Sequence, residues 1–328
     1  MELLKVDTLE IAREKLLNAV GEKWMKTVKV PLKNALDMVL AEDIYGRINI
    51  PDFRRSMVDG YAVIAKDTMG AGESLPVFLK VVGDVGMGEE AACVITPGTC
   101  AYVPTGGMIP DGADACVMVE YCEHFDSEEL AVYQATSVGR HVVDVGEDSK
   151  AGELLFKKGT KLRPQEIGAL SAEGFTEVTV FAPLKISIIS TGDELVAPGG
   201  KICKGQIYDI NTNALDTLAV KHGFEVIGTY TVKDEYELLK AAITEAKEKS
   251  DIVIVSGGSS KGKKDMTATL IDELTVPGVF THGLALKPGK PTILGVNEAD
   301  KTLMVGLPGH PVAAMAVFEM LLVWLKRE

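Results

Sequence analysis

The chain has 328 residues, of which 46% are hydrophobic and 25% charged, and these fractions exclude a disordered chain, a collagen and a coiled-coil rod. Its 47 acidic and 34 basic residues give a net charge of −13, which disfavours nucleic acid or an anionic membrane as the main partner. Five cysteines without a CxxC pair argue against a disulfide framework and against a structural zinc site.

The terminal segments of the chain predict a cytoplasmic protein. Acids and lysines interrupt the N-terminal segment where a signal peptide needs an apolar stretch. The most apolar run, Pro311–Leu325, is too short to span a bilayer and contains Glu319. This run is therefore predicted to be a buried core helix.

The first half of the chain changes character twice. A helix is predicted over residues 8–20 and a shorter one over Asn34–Leu40, from apolar residues at helical spacing. Residues 46–145 hold short β-rich runs separated by Gly and Pro, which is typical of a compact β-rich lobe. A helix over Pro164–Glu173 then ends at Gly174.

From residue 185 onward, apolar strands alternate with helices. This pattern indicates a mostly parallel sheet covered on both faces, in which ligands bind at the carboxyl ends of the strands. A capping box at Asp234 and Glu237 is predicted to open the second of the helices. The predicted strands are Ile186–Ser190, Glu225–Val232, Asp251–Val255, Pro291–Val296 and Thr302–Leu307, and the predicted helices are Asn211–His222, Asp234–Lys247, Asp265–Leu274 and Pro311–Leu325.

Four loops of this second half carry unusual residues: STGDEL at 190–195, SGGSSKGKKD at 256–265, KPGKP at 287–291 and GLPGHP at 306–311. Glycines, hydroxyls, lysines and helix N-termini suit an anion, although a tight turn is the alternative for any single loop. Carboxylates beside such loops suggest Mg²⁺. Equally, Asp265 could cap a helix and Glu194 could be a solvated turn residue. The sequence shows no Ser-His-Asp or Cys-His pattern that would indicate nucleophilic catalysis.

Eight motifs follow one another along nearly the whole chain. They are Pro51–Val63 ending in DGYAV, Pro104–Gly107 with Pro110–Asp114, Gly146–Asp148, Ser190–Leu195, Gly205–Asn211, Gly257–Asp265, the KPGKP segment and the GLPGHP segment. In kind and order this set resembles the molybdopterin molybdenumtransferase family, the MoeA type that includes the E domain of gephyrin. One motif is moderately specific, whereas eight in the family's order are highly specific.

The resemblance implies an α/β multidomain fold. Residues 1–45 and 146–180 would form a linking α+β domain, 46–145 the β-rich lobe, and 181–328 a three-layer α/β molybdopterin-binding domain with a mostly parallel sheet. It further implies a homodimer whose active cleft lies between this α/β domain and the lobe of the other subunit.

The resemblance also implies a reaction, in which molybdate is inserted into the dithiolene of adenylylated molybdopterin with Mg²⁺-dependent release of AMP. By matching position, Asp59, Asp148, Glu194 and Asp265 receive catalytic roles, and Asp59, Glu194 and Asp265 hold the metal. From the residues alone, Asp59 could equally be a turn acid and Asp148 part of an Asx-turn. The implied substrate-binding residues are Thr105, Gly257, Gly258, Ser260, Lys287, Lys290, Pro308, His310 and Pro311.

The chain departs from the family pattern in three respects. Many members carry a further C-terminal β-barrel-like domain, so this chain is expected to be a short member, natural or engineered. Arg55 places a positive charge beside Asp59, where it could alter oxyanion affinity or metal choice. His310 stands where Asn is usual, and residues 261–264 are unusually rich in lysine.

Several other functions stay open on the sequence. The chain could bind molybdopterin as a non-catalytic carrier or sensor, which AMP release would distinguish from an enzyme. It could insert tungstate, since the two oxyanions have nearly the same size and charge. A scaffold role has no supporting segment, and a general nucleotide-dependent hydrolase is disfavoured by the ordered motifs.

Overall fold

The computed structural model describes residues 6–126, 128–257 and 266–326. The chain divides into two compact units, one made of Met1–Val28 with Val180–Glu328 and the other of Lys29–Thr179. We call them the α/β unit and the β-rich unit. The three-domain organisation expected from the sequence stays a prediction.

Helices and strands are numbered in chain order over the described residues. The helices are α1 (Leu9–Val20), α2 (Pro164–Ala172), α3 (Asn211–Lys221), α4 (Tyr236–Lys249), α5 (Met266–Leu274) and α6 (Pro311–Phe318). The strands are β1 (Thr27–Pro31), β2 (Ile44–Tyr45), β3 (Arg55–Ser56), β4 (Gly60–Val63), β5 (Val77–Asp84), β6 (Thr99–Val103), β7 (Ala115–Met118), β8 (Cys122–His124), β9 (Glu129–Val132), β10 (Val142–Val143), β11 (Leu154–Phe156), β12 (Glu177–Phe181), β13 (Lys185–Thr191), β14 (Leu195–Val196), β15 (Ile207–Tyr208), β16 (Glu225–Val232), β17 (Ile252–Gly257), β18 (Pro277–His282), β19 (Ile293–Asn297) and β20 (Leu303–Leu307).

A six-stranded sheet in the order β7-β4-β6-β5-β9-β8 organises the β-rich unit. Its neighbouring strands are antiparallel, except for the parallel pair β5 and β6. Side chains of the central strand β4 alternate between two buried clusters, with Tyr61 and Val63 in one and Ala62 in the other. Asp59 therefore directly precedes a strand that is held on both faces.

The short helix predicted over Asn34–Leu40 does not form. Leu32–Asn34 is a single 3₁₀ turn, and Asp37 adopts a left-handed φ of +63°. Leu40 is fully buried, whereas Leu36 is 52% exposed. The apolar residues therefore make separate contacts rather than one helical face, and so short a segment has little helical stability of its own.

A second six-stranded sheet, in the order β16-β13-β17-β20-β19-β18, forms the middle layer of the α/β unit. Strands β16, β13, β17 and β20 run parallel, and the pairs β20–β19 and β19–β18 are antiparallel. Helices α1, α3 and α6 pack on one face and α4 and α5 on the other. In β13, Ile186 and Ile188 face the first layer and Ile189 the second. This arrangement confirms the predicted α/β fold class with its mostly parallel sheet.

The apolar C-terminal run packs one face into the core and leaves Val312 and Met315 exposed, and it is not one uniform helix. The helix α6 ends at Phe318, and Glu319–Val323 form a π-helical turn. Nε and Nη2 of Arg13 donate to the carbonyl of Met320 at 3.0 and 2.8 Å, so a side chain satisfies a carbonyl at the widened turn. Over the described part of the chain, no helix has the length and apolar character needed to cross a membrane.

Candidate active site

The strand directions of the α/β unit bring the carboxyl ends of three strands and one further loop to one edge of its sheet. β13, β17 and β20 are parallel, so the segments that follow them leave at the same edge. The loop between β18 and β19 reaches this edge too, because β19 runs antiparallel and Ile293 at its start pairs with Gly306 near the end of β20. We call this the carboxyl edge.

The segment after β13 is tied to the start of α4. Thr191, which is 3% exposed, donates from Oγ1 to Oδ1 of Asp234 at 2.6 Å, and the Asp234 N–H donates to Oδ1 of Asp193 at 3.2 Å. The capping box predicted at Asp234 is therefore wrong. The helix α4 begins at Tyr236 with Glu235 as its N-cap, while the Asp234 side chain accepts a hydrogen bond from β13.

Glu194 presents an exposed carboxylate at the carboxyl edge. Its side chain folds back over Gly192, where a Cβ would lie 2.9 Å from Glu194 Oε2. Its carbonyl accepts from the N–H of Ile207 at 2.9 Å, which fixes the backbone next to the strand pair β14–β15. The carboxylate is thus available to solvent, or to a cation, from an anchored backbone.

Gly257, at the end of β17, lies where only glycine fits. Its φ is +112°, and a Cβ there would lie 2.2 Å from the carbonyl oxygen of Thr191. A Cβ on Gly309 would lie 3.5 Å from the Gly257 Cα, so the ends of β13 and β17 and the segment after β20 are in close contact. The glycine lets three backbone segments converge at the middle of the carboxyl edge.

The segment after β20 leads directly into α6. Pro308 is buried and its carbonyl accepts from Ser256 Oγ at 3.3 Å. His310 is the N-cap residue of α6, and its exposed side chain makes no capping hydrogen bond. Pro311 takes the first helical position, where a missing N–H costs nothing. The loop therefore presents the first turn of α6 and an imidazole along the edge.

The loop between β18 and β19 carries Lys287 and Lys290, both exposed. Between them Gly289 has a φ of +125°, and a Cβ there would lie 2.8 Å from Val317 of α6. The backbone at the tip of the loop is thus packed against α6, while the lysine side chains are left at the surface. This is a basic group in a chain that is acidic as a whole.

In the β-rich unit, Asp59 and Thr105 are directly bonded. The Thr105 N–H donates to Oδ1 of Asp59 at 2.7 Å, and the Asp59 carbonyl accepts from the Val119 N–H at 2.9 Å. Both side chains are exposed. Nearby, burial raises the pKa of the Cys116 thiol to about 11, which keeps that thiol protonated and makes it a poor nucleophile.

Asp148 pairs with Arg55 rather than standing alone. Nη2 of Arg55 lies 3.3 Å from Oδ2 of Asp148, and both side chains are partly exposed. The backbone of Asp148 is anchored because its N–H donates to the Ile50 carbonyl at 2.9 Å. The positive charge expected beside Asp59 is thus engaged, at least in part, with a second carboxylate.

Three predicted site residues, Gly258, Ser260 and Asp265, lie outside the described residues, as do the lysines at 261, 263 and 264. The structure brings Glu194, Gly257, the lysine loop and the start of α6 to the carboxyl edge of one unit. It brings Asp59 and Thr105 together, and Arg55 and Asp148 together, in the other.

A buried polar network under the carboxyl edge was not singled out from the sequence. Asn211, the first residue of α3, is 8% exposed, and its Nδ2 donates to Ser256 Oγ at 2.7 Å and to the Gly309 carbonyl at 2.8 Å. Its Oδ1 is buried without a hydrogen-bond partner in the described structure. Asn211 therefore links the end of β17 to the segment after β20.

Asp209, 3% exposed, is the second member of this network. Its Oδ2 accepts from the hydroxyls of Thr212 and Thr231 at 2.5 and 2.8 Å, and its Oδ1 accepts from the Thr212 N–H at 3.1 Å. The sequence predicts Asn211 only as the first residue of a helix, and it predicts no separate role for Asp209. The signal that could have revealed them is the GxIxDxN turn itself, which places two polar side chains immediately before and at the start of a buried helix.

The carboxylates suit Mg²⁺ as a donor set. Mg²⁺ usually binds one or two carboxylates and completes its shell with water and substrate oxygens. Asp59 and Glu194 are exposed and have anchored backbones, which fits such partial coordination. Among the described residues, no group of three or more His, Cys, Asp or Glu side chains forms a complete cage. An ion held by either carboxylate in its own unit would therefore depend on water and substrate oxygens for further ligands.

Comparison with known proteins assigns the family. Residues 7–174 match the family described as the MoeA N-terminal region (domain I and II). Residues 187–327 match the family described as a probable molybdopterin binding domain. The chain therefore belongs to the MoeA-type molybdopterin molybdenumtransferase family, and the resemblance inferred from its motifs is confirmed.

Individual relatives agree with this assignment. A molybdopterin molybdenumtransferase of Haemophilus influenzae is 33% identical over 95% of this chain and 74% of its own length, and one of Bacillus subtilis is 32% identical over 91% and 70%. Two solved structures of molybdopterin biosynthesis MoeA proteins from Pyrococcus horikoshii have TM-scores of 0.84 and 0.82 at 40% and 32% identity. They cover 98% of this chain and 80% and 79% of theirs. The chain is thus a transferase of molybdenum cofactor biosynthesis.

Proposed function

We propose that the chain inserts molybdate into the dithiolene of adenylylated molybdopterin, with Mg²⁺-dependent release of AMP. The observation that carries this proposal is the gathering of Glu194, Gly257, two lysines and the first turn of α6 along one carboxyl edge. The substrate carries a pyrophosphate, and ammonium groups and helix N-termini are favourable partners for phosphate oxygens.

The substrate contacts divide by chemistry. Lys287 and Lys290 supply positive charge to the phosphates, and the glycines at 257 and 258 let the backbone approach the ligand. Thr105 and Ser260 supply hydroxyls. Pro308, His310 and Pro311 shape the end of the edge that receives the oxyanion. The support for this division is the exposure of both lysines and of His310, together with the crowded backbone at Gly257.

The carboxylates serve the bond-breaking step. An oxygen of water or of the oxyanion attacks one phosphorus atom of the phosphoanhydride, the bridging P–O bond breaks, AMP leaves and the other phosphate stays on molybdopterin. Negative charge therefore develops on the separating phosphates. Asp59, Glu194 and Asp265 would hold Mg²⁺, which neutralises that charge when bound. Asp148 is paired with Arg55, and this pair would place the Arg55 charge where it can meet the oxyanion. Thr105 holds Asp59 through its N–H, so the carboxylate is oriented before the substrate arrives.

We also propose a homodimer in which Asp59 from one subunit and Glu194 from the other act at one site. The support is the family relationship and the placement of these residues in different compact units of the chain. An Asp59→Asn chain mixed with a Glu194→Gln chain should regain part of the activity that each lacks alone. No recovery in a confirmed mixed dimer would contradict the shared site.

The deciding experiment measures AMP released from adenylylated molybdopterin, with and without Mg²⁺, molybdate or tungstate. We expect release to need Mg²⁺ and an oxyanion, and to fall about a hundredfold in Asp59→Asn, because a group that acts on developing charge is lost. Asp52→Asn is the matched control, since this exposed acid lies in the same segment without a proposed role.

Each other outcome points to a different function. Tight binding without AMP release would replace the enzyme by a carrier or sensor. AMP release that is the same with and without an oxyanion would indicate a hydrolase. Release with tungstate and not with molybdate would indicate a tungstate-inserting enzyme.

A further inference from the structure

Asp7, near the N-terminus, is bonded to the base of the loop that carries the two lysines. The Asp7 N–H donates to the Gly283 carbonyl at 3.1 Å, and the Ala285 N–H donates to the Asp7 carbonyl at 2.7 Å. Asp7 and Leu284 form an isolated parallel bridge, and Leu284 is fully buried in the core. The N-terminal segment thus adds a strand-like pair to the backbone that leads from β18 towards Lys287.

The side chain of Asp7 makes a second attachment. Its Oδ2 accepts from Lys15 Nζ at 2.6 Å and from Thr281 Oγ1 at 2.8 Å. Asp7 is 6% exposed and Thr281 1%. Lys15, on α1, also donates to the Phe280 carbonyl at 3.0 Å. One buried carboxylate therefore joins α1 to the end of β18, and its charge is balanced only while Lys15 stays in place.

In the loop between β18 and β19, the backbone is fixed by hydrogen bonds while the lysine side chains are exposed to solvent. The Lys290 carbonyl accepts from the N–H groups of Leu284 and Thr292, each at 2.9 Å. Thr292 Oγ1, which is fully buried, donates to the Gly289 carbonyl at 2.7 Å. The lysine side chains are exposed. The direction in which they leave the loop is thus set by the backbone at its base.

We propose that Asp7 is a positioning residue for the phosphate end of the substrate, acting through Lys287 and Lys290. It fixes the base of the loop so that both ammonium groups are held at the carboxyl edge before the substrate binds. This inference rests on the proposed function, because it needs the lysines to contact the substrate. A lysine loses much rotamer freedom on binding, and a loosely held loop would add to that loss. Asp7 itself touches no substrate.

A double-mutant cycle tests the inference. Asp7→Asn keeps the shape and one acceptor oxygen of the side chain but removes the charge that holds Lys15. We expect the KM for adenylylated molybdopterin to rise about five- to tenfold while kcat changes by less than about twofold, since ground-state contacts with the phosphates are weakened. The same substitution in a Lys287→Ala, Lys290→Ala background should have little further effect, because no lysine remains to be positioned.

Asp251→Asn is the matched control. Asp251 lies in the same unit and accepts bonds of the same kind, from Lys26 Nζ at 2.8 Å and from the Lys185 N–H at 2.9 Å. It precedes β17 and so lies at the opposite edge of the sheet. We expect Asp251→Asn to lower the unfolding temperature about as much as Asp7→Asn and to leave KM unchanged. A purely structural role for Asp7 would make the two variants alike in KM as well.

The outcomes separate this inference from the proposed function. An equal rise of KM on Asp7→Asn with and without the lysines overturns the inference alone. An unchanged KM in the lysine double variant shows that the lysines do not contact the substrate, which overturns the inference and the proposed role of the lysines, while AMP release still tests the proposed function. If Asp7→Asn does not fold, Lys15→Met, which leaves the backbone bonds of Asp7 intact, should raise KM in the same direction, and no rise there overturns the inference. If the wild-type chain releases no AMP, the same cycle is read as the Kd of adenylylated molybdopterin without molybdate and Mg²⁺.

Discussion

Replacing Gly257 by alanine should destabilise the α/β unit through two separate costs. The residue has a φ of +112°, and an added Cβ would lie 2.2 Å from the Thr191 carbonyl oxygen. Gly199 is in the same unit, with a φ of +89° and nothing within 4 Å of the position of its Cβ. Comparing Gly257→Ala with Gly199→Ala therefore separates the cost of the backbone angle from the cost of close approach.

The structure sets the size of the difference. A positive φ costs alanine about 1–2 kcal/mol, offset by about 0.4–1 kcal/mol from the restricted unfolded chain, and both variants share these contributions. At position 257 the crowded atoms must also separate by about 1 Å to reach ordinary contact. Thr191 and Gly257 are the last registered pair of β13 and β17, so that pair should open. We expect Gly257→Ala to lower the free energy of unfolding by about 1–2 kcal/mol more than Gly199→Ala.

Urea unfolding followed by tryptophan fluorescence is a suitable assay. The chain has two tryptophans, Trp24 and Trp324, and both belong to the α/β unit. The signal therefore reports the unit that carries both substitutions. Equal losses for the two variants would refute the argument that close backbone approach, and not φ alone, requires glycine at position 257. AMP release should also fall in Gly257→Ala, because the Thr191 backbone has to move.

Two further predictions concern polar contacts. The hydrogen bond from Arg163 lowers the pKa of Glu166 from 4.5 to about 2, so the stabilisation is fully present above about pH 4.5 and is lost as the pH falls towards 2. In Glu166→Gln, the urea midpoint of unfolding should fall less steeply with pH across that range. A pH dependence equal to that of the wild type would show that Glu166 does not cause the fall. Asn211→Ala removes both bonds that link the end of β17 to the segment after β20, so it should lower the free energy of unfolding by about 1–3 kcal/mol and reduce AMP release. Urea midpoints equal to those of the wild type would show that these bonds contribute nothing.

The sequence predicts the elements of the α/β unit well where the signal is repeated. The strand Glu225–Val232 agrees at both ends, and α1, over Leu9–Val20, agrees with the helix predicted over residues 8–20 to within one residue. In buried strands and long helices, several residues follow the same hydrophobic periodicity, so one residue that departs from it does not change the predicted element. The segment Asn34–Leu40 has too few residues for that redundancy, and tertiary contacts decided its conformation.

The candidate site also has features that the sequence predicts and features that it does not. Motifs identify which loops matter, because glycine, lysine and carboxylate residues at strand ends have few other uses. Their convergence depends on strand polarity, which no local pattern fixes for β19. Asp209, Asn211 and Asp234 were missed, or were predicted as helix starts, because a polar residue before a helix has the same sequence signal whether it caps that helix or bonds to a neighbouring strand.

The reversal of β19 has a consequence for how the carboxyl edge can change. The loop after β20 opens into α6, so its donors are backbone N–H groups, which are present with every side chain except proline. The connection from β18 to β19 runs from strand to strand without opening a helix, and the positive charge of Lys287 and Lys290 resides in their side chains. A single codon change can alter that charge without disturbing the backbone of the sheet. The two ends of the carboxyl edge therefore differ in how readily their affinity for an anion can evolve. The affinity of the α6 end is set by the fold, whereas that of the loop between β18 and β19 can change with its side chains.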